Sequence, residues 1–418
     1  MTCQTFQLEV FHQRSPFRFR IRHSHGNRSG NDGLVIRISS SRPGHEDGRI
    51  FGVGEALPRI YVTGETVESS IAQCSSLFAG LAVPVMTLAT TQDCSREIII
   101  EKLIEAWFSA SSRNILAVWS AFDVALFDWL SKVLNIAPDQ LLSEMQSRLS
   151  LQCGGASGPT GGLAWSLEKN PRRRATIPMI KPWLAAMLTF GFRVFGFEHF
   201  KVKVGDSRSA RRVRAVVFFM GKASDLTLDA NKGYTSVAAH RFLAQAFLLS
   251  PSLAARLIAF EDPVAPGDAP TLAEFSRTSE VPIMADEALS GHQSFDEFAR
   301  NPEVGIWNIR IGKCGGITGS LAASVQARRA GARVIVGALV GEDRALTASA
   351  RLLCAHVCGE WMENSFSNLL LKRSVFRLIS GNSPRSVRRG LGLDLDEGVL
   401  RSQMISYKIM RCERLANM

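Results

Sequence analysis

The chain has 418 residues, 46% of them hydrophobic, and a formal net charge of +11. That exceeds the roughly 250–300 residues a single core usually supports, so composition predicts a folded protein of two domains and excludes a disordered or fibrous chain. The basic residues stand in small groups, Arg172 to Arg174, Arg211 with Arg212 and Arg214, and Arg388 with Arg389. Without interleaved aromatics or a helix-turn-helix pattern they read as a solvated basic surface, not as a nucleic-acid site.

The eight cysteines show no C-x-x-C pairing and read as reduced thiols. Cys354 and Cys358, at i,i+4 spacing, read as small apolar residues on a helix. The first residues, Met1-Thr2-Cys3-Gln4-Thr5-Phe6-Gln7, lack the layout of a signal peptide, and no apolar run reaches the ~18 residues of a membrane span. These features predict a cytoplasmic protein with neither membrane nor nucleic acid as partner.

In chain order, residues 1–145 read as an α+β domain. Apolar alternation predicts antiparallel strands over 17–21, 34–38 and 50–55, and i, i+3, i+4 spacing predicts helices over 98–108 and 117–134. The polar, glycine-rich segment 23–32 reads as a loop, either a flexible turn or a lid over a neighbouring site. From 146 to 372 the rhythm becomes strand, loop, helix, strand. Strands are predicted over 149–154, 199–204, 226–229, 257–261, 283–286, 305–311, 334–337 and 361–364, with helices over 207–221, 236–249, 294–300 and 318–330 among them. That count predicts an α/β fold with a TIM-type (β/α)7-8 barrel. The tail, 373–418, carries Gly390-Leu391-Gly392-Leu393-Asp394-Leu395-Asp396-Glu397, which reads as a turn and short strand outside the barrel.

Chemistry concentrates at three strand ends. Leu226-Thr227-Leu228-Asp229, Leu257-Ile258-Ala259-Phe260-Glu261 and Pro282-Ile283-Met284-Ala285-Asp286 each close an apolar run with an acid, which places Asp229, Glu261 and Asp286 at the C-terminal mouth of a parallel sheet. Three converging carboxylates make a hard oxygen site suited to Mg²⁺, with Mn²⁺ as a substitute. On the preceding strand Lys201 and Lys203 share a face, because side chains alternate with period two.

The order Lys201-x-Lys203, Asp229-Ala230-Asn231, Glu261-Asp262-Pro263, Ala285-Asp286-Glu287 and Asn308-Ile309-Arg310-Ile311-Gly312-Lys313-Cys314-Gly315-Gly316 resembles the enolase superfamily, in its muconate-lactonizing subgroup. The segment Gly52-Val53-Gly54-Glu55-Ala56, with 58–66, resembles that subgroup's capping domain, and 390–397 its returning C-terminal segment, so the resemblance implies an N-terminal α+β capping domain completed by the C-terminal segment. It further implies a Mg²⁺-dependent enzyme that removes the proton α to a carboxylate through a metal-stabilised enediolate. In that reading Asp229, Glu261 and Asp286 hold the metal, Lys203 is the acid/base and Lys201 supports the substrate carboxylate. A second ammonium and a divalent ion beside Lys203 are expected to draw its pKa down toward neutrality.

Asn231 and Glu287 are expected to orient the metal ligands, and Asp262 either joins them or caps a turn. Glu342 and Glu363 follow strands seven and eight, and Arg28, with Tyr61, belongs to the region where specificity would reside. The subgroup usually has lysine where this chain has Arg310, which stays protonated at any working pH. Two-base racemisation is therefore disfavoured relative to a muconate cycloisomerase-like or o-succinylbenzoate synthase-like reaction. Lys313, at odd spacing from Arg310, would point to the opposite face of a regular strand. The expected partner is a small carboxylate substrate, with homo-oligomerisation left open. The alternatives are a dipeptide epimerase or N-acylamino acid racemase, and an inactive relative serving as a binding or scaffold protein.

Overall fold

The computed structural model describes residues 3–23, 26–42, 45–152, 172–357, 361–363, 367–379 and 390–415. Strands β1 (Cys3–His23), β2 (Gly26–Arg42) and β3 (His45–Ala56) form an antiparallel sheet with the C-terminal strand Met404–Leu415, in the order C-terminal strand, β1, β2, β3. Helix Leu116–Val133 lies directly on β3. The contact is close because Gly52 and Gly54 carry no Cβ: one at either place would sit 2.0 or 1.9 Å from the carbonyl oxygen of Ala125 or Ala121. The N-cap of that helix, Ile115, offers no side-chain acceptor. Glu65 takes its place, accepting from the amides of Ala117 at 2.5 Å and Val118 at 3.0 Å.

The remainder closes into a barrel of parallel strands: β4 (Arg172–Ile177), β5 (His199–Lys203), β6 (Asp225–Asp229), β7 (Leu257–Glu261), β8 (Ile283–Ala285), β9 (Ile306–Arg310), β10 (Arg333–Gly337) and β11 (Trp361–Glu363), with β11 joining β10 to β4. This is the TIM-type architecture. Ala259, Met284, Ile306 and Ile335 plug the barrel interior, so it is a packed core with its chemistry confined to one mouth. Carboxylates of the sheet and its covering helix clasp the barrel. Asp123 accepts from the Thr318 amide at 3.0 Å, and Glu55 from the amides of Asp343 at 2.6 Å and Leu346 at 3.3 Å, both at barrel-helix N-termini.

Five expectations are corrected. Leu149 lies in helix Pro138–Gln152 and not in a strand, and the first barrel strand is β4; Pro138 pre-sets the helical φ at the N-terminus, and Gly154 is outside the described residues. The loop expected over 23–32 is instead strand: His23 ends β1 and 26–32 start β2, paired with β1, while 24–25 lie outside the described residues. The resulting hairpin docks on the barrel: Asn31 Nδ2 donates to the carbonyls of Val340 and Gly341 at 3.0 and 2.9 Å, and Arg18 Nε to that of Leu371 at 3.1 Å.

Arg174 and Arg212 are buried rather than solvated. The C-terminal strand Met404–Leu415 is longer than the tail suggested, because β1 supplies its partner from the far end of the chain. The helical stretch Val67–Thr90, 24 residues, is long and apolar enough to cross a membrane by composition, its serines having broken the run. Here Cys74, Leu77, Phe78, Val85 and Met86 bury one side of it in the core. Cys354 is buried on helix Arg344–Val357, and Cys358, Asn364, Arg388 and Arg389 lie outside the described residues.

Candidate active site

The register places the lysines and acids side by side. Lys203 pairs with Asp229, and Asp229 with Glu261, so three neighbouring strands present their charges at one level. Lys201 Nζ lies 2.7 Å from both Asp229 Oδ2 and Glu261 Oε1. Lys203 Nζ donates to Asp229 Oδ2 at 2.7 Å and to Asn231 Oδ1 at 2.5 Å. Asp286 follows β8 and meets two cations: Arg310 donates to Oδ2, and Lys313 Nζ to Oδ1 at 3.0 Å. Arg310 Nη2 is also 3.7 Å from Glu261 Oε1, so the guanidinium lies between two of the acids.

Exposure separates the cations. The Lys203 side chain is 28% accessible, whereas Arg310 is 11%, Lys201 2% and Lys313 0%. The one-turn helix Ile311–Cys314 rotates Lys313 inward, where it donates to Asp286 and to the main-chain carbonyls of Asp286 and Asn308. Odd spacing therefore does not turn it away, as a regular strand would.

Burial pushes the Glu261 carboxyl up to about 8, with the charges of Asp229 and Asp286 adding to the rise. Burial, Asp286 and Glu287 push Asp262 up to about 7. Against the same burial, Lys201 and Lys203 hold Asp229 well below the usual carboxylate range, and Arg310 and Lys313 do so for Asp286.

Asp262, at φ +38°, is a backbone clamp: its oxygens accept from the amides of Asp286 at 3.0 Å and Glu287 at 2.9 Å, fixing how the chain leaves β8. Asn231 links Lys203 to Glu287, donating to Oε1 at 2.9 Å. Glu342 is buried and accepts from the Leu339 amide at 2.6 Å. Tyr61 Oη accepts from Arg28 Nη2 at 2.8 Å. Glu363 lies on β11 in register with Arg174, and its side chain is outside the described set.

Two network members escaped the sequence reading. Asn308 Nδ2 donates to Glu261 Oε1 at 3.1 Å; its position two residues before Arg310 on one strand face was a usable signal. Arg174, fully buried on β4, places Nη2 3.5 Å from Glu261 Oε2, and among the described residues none of its nitrogens has a hydrogen-bond partner. It is a fixed cation beneath the acids, hidden in the sequence by the two arginines before it.

The donor set suits a divalent cation. Asp229, Glu261 and Asp286 are all-oxygen, buried and on successive strand ends, and Glu261 Oε2 is a buried acceptor with no hydrogen-bond partner among the described residues. The oxygens of Asp262, Asp286 and Glu287 also lie within 4.8 Å of one another. Asp262 spends both of its oxygens on backbone amides, which leaves it a supporting role.

Comparison with known proteins places the chain in a family. The sequence model of the enolase C-terminal domain-like family matches residues 191–399. The L-Ala-D/L-Glu epimerase of Bacillus subtilis is 24% identical over 76% of this chain and 76% of its own length. The chloromuconate cycloisomerase of Delftia acidovorans is 24% identical over 68% of this chain and 72% of its own. The fold is shared with the dipeptide epimerase of Enterococcus faecalis, solved with Mg and the dipeptide L-Leu-L-Tyr: TM-score 0.72 at 21% identity, covering 94% of this chain and all of the other.

Proposed function

The chain belongs to the enolase C-terminal domain-like family, within the enolase superfamily, and from that premise we propose that it is a Mg²⁺-dependent lyase or isomerase that moves the proton α to a small substrate's carboxylate from one face only. The observation that carries this is the pairing of an accessible Lys203 on β5 with Arg310 on β9, four strands away around an eight-stranded barrel and therefore opposite it. Asp229, Glu261 and Asp286 would hold the cation, which when bound supplies positive charge to the substrate carboxylate as its α-proton leaves. Lys203 accepts that proton at Nζ and returns it, oriented by Asn231 Oδ1 and Asp229 Oδ2. Lys201, buried between Asp229 and Glu261, is a fixed charge. Arg310 stays protonated and stabilises charge on the far face. A cycloisomerase-like or o-succinylbenzoate synthase-like reaction suits this arrangement.

A second reading, epimerisation of a dipeptide, is favoured by the names of the epimerase relatives. It needs a neutral acceptor on each face. Lys313 is fully buried and committed to Asp286 and two main-chain carbonyls, which makes it a poor second base.

The test is proton exchange in D₂O, followed by NMR, with Mg²⁺ and a panel of muconates, cyclohexadiene carboxylates, N-acylamino acids and dipeptides. Exchange with retention at one face is expected. Deuterium entering both enantiomers of an amino-acid substrate would establish the epimerase reading instead.

A further inference from the structure

The barrel helix Pro182–Val194 is built inside out. Its buried residues are Ala185, Ala186 and Thr189, while Trp183, Met187, Phe190 and Val194, at i, i+4, i+7 and i+11, form an outward stripe 54–69% exposed. A surface helix of a barrel normally turns the apolar stripe inward and the polar one to water. The small inner residues let the helix approach the barrel wall, and the bulk is left outside. Trp183, Met187 and Phe190 meet Phe219 of helix Ser209–Phe219 across an apolar groove of about 550 Å³. Phe195, 75% exposed, and Phe218, 79% exposed, add further apolar surface on the same two elements. An apolar face of this extent on a water-soluble barrel marks a contact surface.

The exposed charges on these two helices and the segments flanking them bear on the contact. Between 181 and 222 the exposed cations are Lys181, Arg193, Arg208, Arg211, Arg214 and Lys222, against the acids Glu198 and Asp206, and Asp206 is already paired with Arg212 at 2.6 Å. A second copy of the chain, meeting this face isologously, would bring the two cationic rims together. An aromatic and methionine stripe flanked by arginines instead matches the interfacial zone of a bilayer, with rings at the depth of the headgroups and guanidinium groups on lipid phosphates.

We propose that the outer face of helix Pro182–Val194, with the end of helix Ser209–Phe219, seats the protein peripherally on an anionic lipid surface. The face was not legible in the sequence, because only the packing shows which stripe looks outward.

The experiment is co-sedimentation of the full chain with vesicles of phosphatidylcholine alone and of equimolar phosphatidylcholine and phosphatidylglycerol. Two variants on exposed positions, Met187→Ser/Phe190→Ser and Arg211→Glu/Arg214→Glu, are checked for an unchanged Tm. The chain should partition to the anionic vesicles only, more weakly as salt is raised. The Arg211/Arg214 reversal should weaken partitioning roughly 25-fold, about five-fold for each arginine, and the Met187/Phe190 pair ten-fold or more. Failure to sediment with either vesicle, or equal binding to both that ignores the arginine reversals, overturns the proposal. So does a dimer seen by light scattering that the Met187/Phe190 pair dissociates, since a second copy would then cover the face.

Discussion

Replacing Glu261 by glutamine separates the cost of the carboxylate cluster from its use. In the metal-free protein, burial and the neighbouring Asp229 and Asp286 raise the Glu261 carboxyl from 4.5 to about 8. Between those values the folded chain keeps a proton that the unfolded chain releases. The contribution of this group to stability is therefore fully present below pH 4.5 and falls away as the pH rises to 8. At pH 7 the loss amounts to about 3 kcal/mol, taking about 1.4 kcal/mol per pH unit. Glu261→Gln keeps an acceptor at Oε1 for Lys201 and Asn308 and abolishes the titration. The metal-free variant should melt a few degrees above the wild type at pH 8 and lose that advantage by pH 5.

Asp229→Asn should do the reverse. Asp229 is the counter-charge of both Lys201 and Lys203, and removing it leaves the buried Lys201 undercompensated, at a cost of about 3–5 kcal/mol. Scanning calorimetry in a chelator from pH 5 to 8 reads both effects, and titration with Mg²⁺ should show neither variant binding. A Glu261→Gln protein less stable than the wild type throughout would refute the burial argument. Unchanged Mg²⁺ affinity in either variant would refute the metal assignment.

Lys203→Ala should abolish exchange of the substrate α-proton, while Arg310→Met should retain slow exchange with a loss of roughly 10²–10³ in rate; equal residual exchange in the two would remove Lys203 from its role. Gly54→Ala drives a Cβ to 1.9 Å from the Ala121 carbonyl oxygen, so denaturant unfolding should show a loss of about 3 kcal/mol or more, and a near-neutral result would mean that helix Leu116–Val133 is free to withdraw from β3. Asn31→Ala removes the two bonds from the β1–β2 hairpin to the carbonyls of Val340 and Gly341. Limited proteolysis of that hairpin should accelerate in the variant, and a substrate analogue with Mg²⁺ should slow it in the wild type; rates indifferent to both would show that the hairpin is no lid.

Much of the barrel could be read residue by residue, because its signals are local. An apolar run ended by an acid marks both a strand and its mouth-facing end, which is how Asp229, Glu261 and Asp286 were found, and a two-residue spacing sufficed to put Lys201 and Lys203 on one face. Helix Ser236–Leu249 was legible for the same reason, its periodicity and its Thr235 cap lying within one window. Other features depend on partners far away in sequence. Leu149 reads as the start of a strand until Pro138 is seen to open a helix, and Met404–Leu415 becomes an edge strand only because β1 is there to pair with it. Arg174 looked like one of three surface arginines until barrel closure turned its face inward against Glu261. Lys313 joined Asp286 through a single helical turn that spacing does not encode. Sequence by itself determined which acids and lysines are gathered at one mouth of the barrel, since alternation and strand ends are properties of neighbouring residues. The tertiary structure alone decided which cation meets which acid and which helix face is left to solvent, because those follow from ring closure and long-range packing.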